Sequence, residues 1–217
     1  MTVGDALLRS TAAPVRTRYG ERRLDPERDK AIAGAVLEVL GRDGYAGLTM
    51  DAVALVAGVG KATIYRRWSS KTDLLLGVMA AVRDEASTVP DTGCLRDDLV
   101  AVLTATVDLL TGPAGRAVRG LLGAVLEDPV LAEAYQRGPL AWWNAAWATA
   151  LDRAAARGEI SAAARASLAA EAGPAVVGLR WLVTGGPLDA AVVSEIVDMV
   201  TMPLLTRPQT TPAGPGT

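Results

Sequence analysis

Residues 50–71 hold the sequence feature that most constrains the fold of this chain. Two short helical stretches flank Gly58 there, and a glycine adopts the left-handed turn between two helices at little cost. The second stretch begins at Lys61 and runs into the sequence Tyr-Arg-Arg-Trp at residues 65–68. A tight turn, a compact helix and adjacent positive charge are what a reader of the DNA major groove requires. The segment therefore predicts a helix-turn-helix unit.

Apolar residues recur at helical spacing on both sides of this unit, and strong strand signals are few. Asp25, Thr49 and Ser70 stand where they can cap helices. Glycine–proline breakers such as Gly112-Pro113 separate the later segments. The predicted helices span about 26–42, 49–57, 60–67, 70–87, 95–111, 114–127, 130–157, 161–184 and 188–205. The prediction is an all-α protein, with a kink at residues 137–139 and a bend at residues 173–174.

The composition excludes several classes of site. The chain has no histidine, which removes Ser-His-Asp and Cys-His nucleophiles and histidine metal sites. Cys94 is the sole cysteine, and a thiol sensor would want a second cysteine or a cluster of cations. No cofactor motif, metal site, signal sequence or membrane-spanning segment is predicted. The expectation is a cytoplasmic protein that is not an enzyme.

Charge is distributed unevenly along the chain. Residues 1–73 contain 12 Lys and Arg against 9 Asp and Glu, a net charge of +3. The remaining residues contain 10 against 15, a net charge of −5, which gives −2 overall. An asymmetry of this kind indicates that the N-terminal part meets a polyanion and the rest does not.

The stretch from Leu24 to about Leu76 resembles the TetR family of one-component bacterial transcription regulators. The resemblance includes Asp-Pro-Glu-Arg at 25–28, Gly-Tyr-Ala-Gly-Leu-Thr-Met at 44–50 and the run from Ala57 to Trp68, followed by Ser70-Lys71. Trp68 stands where many members carry phenylalanine. A weaker resemblance to the C-terminal domain of such regulators lies in residues 91–99 and 182–188.

The resemblance implies an N-terminal three-helix DNA-binding head, joined by a long helix to a C-terminal helical domain for ligand binding and dimerisation. The implied divisions are a flexible basic arm at 1–23, the head at 24–69, the C-terminal domain at 70–206 and a disordered tail at 207–217. The implied partners are a double-stranded palindromic operator, a small-molecule effector and a second copy of the chain. Repression, relieved by an apolar or aromatic effector, is the expected mode.

Seven residues are expected to contact DNA. Thr63, Lys61 and Arg66 suit base edges or phosphates, and Tyr65 suits a phosphate. Thr49 and Lys71 lie at helix N-termini, where free N–H groups favour phosphate. The expected set is Thr49, Lys61, Ala62, Thr63, Tyr65, Arg66 and Lys71. Arg67 is expected to point away, and Tyr45 and Trp68 to anchor the core. The arginines at 9, 16, 18, 22 and 23 either enter the minor groove or remain solvated.

Aromatic and apolar residues of the C-terminal domain predict an effector site and a dimer interface. Trp143, Trp147, Trp181 and Met79 are candidate effector contacts, and core packing of the tryptophans is an equal alternative. The last two helices are apolar over wide faces and predict a four-helix dimer interface. Its expected residues are Val176, Leu179, Arg180, Val183, Val193, Ile196, Val197 and Val200.

Two other functions remain open at this point. The chain could be a helical small-molecule enzyme with an inherited head, although the absent histidine and cofactor motifs weigh against it. It could also be a small-molecule-binding dimer that does not use its head to bind DNA. Salt-dependent binding to duplex DNA discriminates these, because phosphate contacts weaken as salt rises.

Overall fold

The computed structural model describes residues 26–84 and 89–207. The arm with its arginines, the Asp25 cap and the tail beyond Arg207 fall outside these residues. Every regular element within them is helical, as predicted. The helices are α1 (Pro26–Gly47), α2 (Met50–Val56), α3 (Lys61–Tyr65), α4 (Lys71–Asp84), α5 (Leu95–Thr111), α6 (Pro113–Glu127), α7 (Pro129–Tyr135), α8 (Ala141–Arg157), α9 (Ala162–Arg165), α10 (Ala172–Leu179), α11 (Ala190–Glu195) and α12 (Met202–Thr206).

The first four helices begin where the sequence predicts, but α1 runs to Gly47 rather than to about residue 42, and the end predicted for α4 at about residue 87 lies outside the described residues. The backbone leaves helical geometry at Gly44, with φ 66° and ψ −174°. The Thr49 hydroxyl caps α2 by accepting a hydrogen bond from the Ala52 N–H at 3.0 Å. Gly58 makes the turn into α3 with φ 64°, a conformation that side chains with a Cβ rarely adopt. Ser70 caps α4 by accepting from the Asp73 N–H at 3.1 Å.

The head core is one cluster of buried residues built on these four helices. Ile32, Val36, Val53, Ile64 and Leu74 are all fully or almost fully buried in it. The cluster also takes in residues that follow the predicted head, which are Ala117, Leu121 and Val125 of α6 and Leu131 of α7. The head core therefore extends beyond residue 69, and α6 and α7 complete it.

A second cluster, the C-terminal core, joins α5, α8 and the last helices. Leu99, Leu103, Leu151, Val177 and Val197 are among its fully buried members. Val118 and Leu122 of α6 pack against this cluster from its edge. One helix, α6, therefore turns one face to each core.

A side-chain contact reinforces the position of α6. Arg119 donates a hydrogen bond to the Trp181 carbonyl at 2.6 Å, and its guanidinium lies 4.8 Å from the centroid of the Trp181 ring. Such a cation–π contact adds about 0.5–2 kcal/mol. On the opposite side, α6 packs closely against α1.

The later helices are more interrupted than predicted. The segment 161–184 is broken after Arg165, because the Ser167 hydroxyl accepts from the Ala169 N–H and donates to the Ala164 carbonyl. Such local bonds compete with the helical ladder. A 3-10 turn follows at Leu168–Glu171, so the break precedes the bend predicted at 173–174.

Three π-helical turns account for the remaining differences. Gln136–Leu140 links α7 to α8, Arg180–Thr184 follows α10, and Ile196–Thr201 links α11 to α12. The first contains Pro139, which lacks a backbone N–H, so the kink predicted at 137–139 takes the form of this wider turn. No single helix in residues 26–84 and 89–207 is long and apolar enough to cross a membrane. The pair α5 and α6 reaches that length together but bends by 70° between them.

The buried carboxylate of Asp98 holds Thr92, which lies in the segment that leads into α5. Asp98 is fully buried and accepts hydrogen bonds from the Thr92 N–H at 2.7 Å, the Thr92 hydroxyl at 2.8 Å and Arg157 at 3.3 Å. Burial alone would raise the pKa of Asp98, but these bonds outweigh it and the pKa lies below its ordinary value. Arg153 adds hydrogen bonds to the carbonyls of Val89 and Pro90.

The substitution Gly120→Ala should destabilise the protein. A Cβ at Gly120 would lie 2.1 Å from the Leu40 carbonyl oxygen, so α1 and α6 would have to separate. We expect a loss of about 1–3 kcal/mol in the free energy of unfolding, measured by urea denaturation. The matched control is Gly123→Ala on the same helix. A Cβ at Gly123 would meet nothing within 4 Å, so this substitution should raise the free energy of unfolding by about 0.5–1 kcal/mol. Equal effects of the two substitutions would contradict the close packing.

Stability should fall in acid through Asp98. A carboxylate whose folded pKa is depressed stabilises the fold above its unfolded pKa of about 3.9, and this contribution is lost as the pH falls through the folded pKa. Urea denaturation between pH 7 and pH 2.5 should show that loss in the wild type, and Asp98→Asn should remove that part of the pH dependence. The exposed neighbour offers a control, because Asp97→Asn should change stability at pH 7 by no more than about 0.5 kcal/mol.

Candidate nucleic-acid interface

The outer side of α3 is open to solvent while its inner side is fixed. Ile64 is fully buried in the head core and holds the five-residue helix in place. Lys61, Ala62 and Arg66 are exposed, Tyr65 is 55% exposed, and Thr63 is half-buried. Within the part of the chain that the structure describes, the hydroxyls of Thr63 and Tyr65 have no hydrogen-bond partner. The predicted contact residues of α3 therefore share one accessible surface.

An ion pair joins the start of α3 to the start of α2. The Lys61 ammonium lies 2.6 Å from Oδ2 of Asp51, and both side chains are more than half exposed. This hydrogen bond raises the pKa of Lys61. The pair therefore ties the first residue of α3 to the first turn of α2, the turn that Thr49 caps.

Two adjacent arginines behave differently. The Arg66 guanidinium is exposed and makes no ion pair or hydrogen bond with any residue that the structure describes. Arg67 pairs with Asp29 of α1, and its guanidinium stacks 4.4 Å from the centroid of the Trp68 ring. Arg67 points away from the surface, as predicted, and Arg66 is the cation free to meet phosphate.

Lys71 is more restrained than the sequence predicts. Its ammonium donates to the Tyr45 carbonyl at 3.2 Å and lies 4.1 Å from the centroid of the Tyr45 ring. The Tyr45 hydroxyl in turn shares a hydrogen bond with Thr72 at 3.1 Å. The phosphate contact expected of Lys71 stays a prediction, and within the described residues the end of α1 already places the Tyr45 carbonyl and ring within reach of its ammonium.

The two aromatic anchors of the head lie as predicted. Trp68 is buried in the head core and its indole lies against Gly77 of α4, where a Cβ would be 2.7 Å from Nε1. Tyr45 packs against the same core. The tryptophan therefore fixes the end of the helix-turn-helix unit to α4.

The candidate effector contacts divide between the two cores. Trp147 and Trp181 are buried in the C-terminal core, and their indole N–H groups donate to the carbonyls of Ala170 at 2.6 Å and Leu110 at 2.8 Å. Trp143 packs against the same core and stays partly exposed. Core packing, the alternative weighed from the sequence, therefore describes Trp147 and Trp181.

Met79 does not join the three tryptophans. It is buried in the head core, and the π-helical turn at Gly138 covers its backbone, with the position of a Cβ on Gly138 2.9 Å from the Met79 carbonyl. Met79 therefore lies in a different cluster of buried residues from Trp147 and Trp181, and its contact with an effector stays a prediction.

The expected dimer residues also divide. Val193, Ile196 and Val197 are only 1%, 4% and 0% exposed because they pack inside the C-terminal core of their own chain, so they cannot form the surface of an interface. Val176, Arg180 and Val200 are half-buried, and Leu179 and Val183 are exposed. Arg180 donates to the Pro187 carbonyl at 3.0 Å.

Sequence reasoning missed three residues of these surfaces. Asp51 and Asp29 hold cations of the head, and only the spatial neighbourhood reveals those pairs. Met199 is 71% exposed in the turn that follows α11, and its apolar character was a signal available in the sequence. Leu182, which belongs to the apolar faces seen in the sequence, is exposed in the turn after α10.

Comparison with known proteins identifies both parts of the chain. The family of bacterial regulatory proteins, tetR family, matches residues 32–78, and the Tetracyclin repressor-like C-terminal domain matches residues 89–200. An uncharacterised HTH-type transcriptional regulator of Mycobacterium tuberculosis is 33% identical over 195 residues, covering 88% of this chain and 96% of the relative. The DNA-binding transcriptional repressor TetR of Mycobacteroides abscessus is 34% identical over 182 residues, covering 82% of this chain and 94% of that protein.

A solved structure extends the likeness to the fold. The crystal structure of the TetR family transcription regulator SCO0332 shares 33% sequence identity, with a TM-score of 0.62, and covers 84% of this chain and 100% of that chain. The helix-turn-helix surface, the C-terminal helical core and these relatives agree. The chain belongs to the TetR family of helix-turn-helix transcriptional regulators, which bind DNA and are not enzymes.

Proposed function

We propose that the protein is a dimeric repressor that binds a palindromic operator and is released by a small apolar or aromatic effector. The observation that carries the DNA-binding part is the surface of α3. The polar groups of Thr63 and Tyr65 in α3 and of Arg66 just after it have no partner among the described residues, while the buried Ile64 anchors the helix to the head core. A short, anchored helix with free donors suits insertion into the major groove. Its place of action is the cytoplasm, where the operator lies.

Thr49 and Lys61 complete the proposed DNA surface. Thr49 stands at the N-terminus of α2, where unpaired N–H groups favour a phosphate. Lys61 can donate to base or phosphate, and Ala62 is small enough to approach a base edge. Lys71 contributes less than Arg66, because its ammonium is already engaged by Tyr45.

Exposed apolar residues on the last helices support the dimer. Leu179, Leu182, Val183 and Met199 are each at least half exposed around α10, α11 and the turns that follow them. Exposed apolar side chains of this kind favour association with a like surface. In a dimer formed there, two helices from each copy pack together, and the two heads are related by a two-fold axis.

Effector release would operate through the C-terminal core. A small molecule changes an equilibrium only by its difference in affinity for the two states. We infer that an apolar effector contacts this core beside Trp143, the most accessible of its described tryptophans, and favours a spacing of the heads that no longer matches the two half-sites. The competing hypothesis, a small-molecule-binding dimer that does not use its head, predicts no salt-dependent binding to duplex DNA.

Arg66→Ala should weaken DNA binding without unfolding the head. The side chain has no partner among the described residues, so its removal costs the fold nothing but removes a cationic DNA contact. We expect a loss of about 1–3 kcal/mol of binding free energy per head, measured by fluorescence anisotropy on a duplex that the wild type selects from a random library.

The adjacent residue is the matched control. Arg67→Ala removes the pair with Asp29 and the stacking on Trp68, so it should lower the free energy of unfolding by about 1–2 kcal/mol. Its effect on operator affinity should be smaller than that of Arg66→Ala. Thermal unfolding and anisotropy together separate the two roles, and a reversed pattern would contradict the assignment.

Val183→Asp should convert the protein to a monomer. The side chain is 70% exposed within the proposed interface, so a buried charge there would oppose association. Sedimentation velocity should show a dimer for the wild type and a monomer for the variant. Leu126→Asp, at an exposed leucine of α6, is the control and should remain dimeric. A monomeric wild type would contradict the proposed dimer.

A further inference from the structure

We propose that Asp51 is a specificity-determining residue of the head, which restrains Lys61 so that it favours the operator over other DNA. The inference rests on the proposed binding of DNA by α3 and assigns a role to a residue outside that helix. Asp51 lies in the first turn of α2, and its carboxylate reaches across to the first residue of α3.

Most of the cations near α3 already have partners in the head. Four cationic side chains lie between residues 61 and 71. Arg67 is held by Asp29, and Lys71 is held by Tyr45. Lys61 is held by Asp51, which leaves Arg66 as the one of the four without a partner among the described residues. The carboxylate of Asp51 therefore decides whether the α3 surface presents one mobile cation or two.

Asp51 affects binding to DNA of any sequence. Non-specific affinity arises from neutralising phosphates and releasing counterions, and it grows with each cation that reaches the backbone. A lysine on a flexible stem finds a phosphate easily in almost any sequence. An ammonium already paired with a carboxylate gains less from a phosphate, and the carboxylate itself repels the backbone. Asp51 should thus weaken binding to unselected DNA.

Asp51 also affects binding to the operator. The Lys61 ammonium has three N–H donors, and the bond to Asp51 uses one of them. The pair holds the ammonium near the first turn of α2, and its two remaining donors are available to the paired acceptors of a guanine edge. A correct base therefore meets a lysine that is already restrained, while a phosphate has to compete with Asp51 for the ammonium. The pair raises the ratio of operator affinity to non-specific affinity.

A purely structural role for Asp51 predicts something different. An acidic residue in the first turn of a helix is stabilised by the helix dipole, so Asp51 would then support α2 and leave DNA discrimination untouched. The ratio of affinities, rather than either affinity alone, separates the two roles. Removing any negative charge raises affinity for both kinds of duplex.

The experiment compares the wild type with Asp51→Asn, Lys61→Met and the double variant. Each full-length protein is titrated by anisotropy against the duplex that the wild type selects and against a scrambled duplex of equal length, at several salt concentrations. For Asp51→Asn we expect affinity for the scrambled duplex to rise roughly 3- to 10-fold, with a salt dependence steeper by about one phosphate contact per head. Affinity for the selected duplex should rise less, so the ratio falls.

The double variant tests whether Lys61 carries the effect. Once Lys61 is Met, Asp51→Asn should leave the ratio unchanged within about twofold, because no ammonium remains to be restrained. Lys61→Met alone should lower affinity for the selected duplex more than for the scrambled one, which provides a test that does not require any change at Asp51. The matched control is Asp29→Asn, which releases Arg67 on another side of the head and should leave the ratio unchanged.

Several results would overturn the inference. The inference fails if Asp51→Asn leaves the ratio of affinities unchanged, or if Asp51→Asn lowers the ratio equally when Lys61 is already Met. It also fails if Lys61→Met weakens binding to both duplexes equally. If the wild type binds neither duplex in a salt-dependent manner, the proposed DNA-binding function fails first. That outcome is distinct from a wild type that binds and discriminates but does not depend on Asp51.

Discussion

Two helices of seven and five residues carry most of the proposed DNA surface, and neither is long enough to be stable in water by itself. They persist because Val53 and Ile64 are fully buried in the head core. That core is closed from the far side by α6, whose Gly120 lets the backbone of α1 approach. The position of α3 therefore depends on the contact between α1 and α6, well away from the DNA surface itself.

Three cations of the head are restrained, each by a different kind of partner. Lys61 pairs with a carboxylate across the turn, Arg67 with a carboxylate and a ring, and Lys71 with a carbonyl and a ring. The partner determines whether a cation supports the fold, orients a donor or remains available to DNA. The net positive charge of the N-terminal part is thus a poor measure of how many of its cations can meet phosphate.

The sequence was sufficient for features that depend on neighbours in the chain. The caps at Thr49 and Ser70, the turn at Gly58 and the buried face of α1 follow from local chemistry and a period of 3.6 residues. The family resemblance supplied the rest of the architecture, and the relatives confirm it. The boundary of the head was less accessible to this reasoning, because Ala117 and Leu121 join its core from about fifty residues farther along the chain.

The sequence was insufficient to predict which neighbours a side chain contacts in the folded chain. Met79 and Val197 have the apolar character of a pocket or an interface, yet both fill cores of their own chain. Lys71 stands near the N-terminus of α4, and its contact with Tyr45 could not be foreseen from that position. The Ser167 break was readable in principle, because a serine inside an alanine-rich helical run can bond to the nearby backbone. Periodicity locates the apolar face of a helix but does not say what covers it.

Because α6 packs against both cores, it limits how the domains of such regulators can be recombined. A cut in the linker between α4 and α5, where the chain would most conveniently be joined to a foreign head, removes Ala117, Leu121, Val125 and Leu131 from the core they complete. A transplanted head would meet an α6 shaped for a different α1. Substitutions on the outer side of α3 should therefore change operator preference with less damage to the head core than exchange of the whole head.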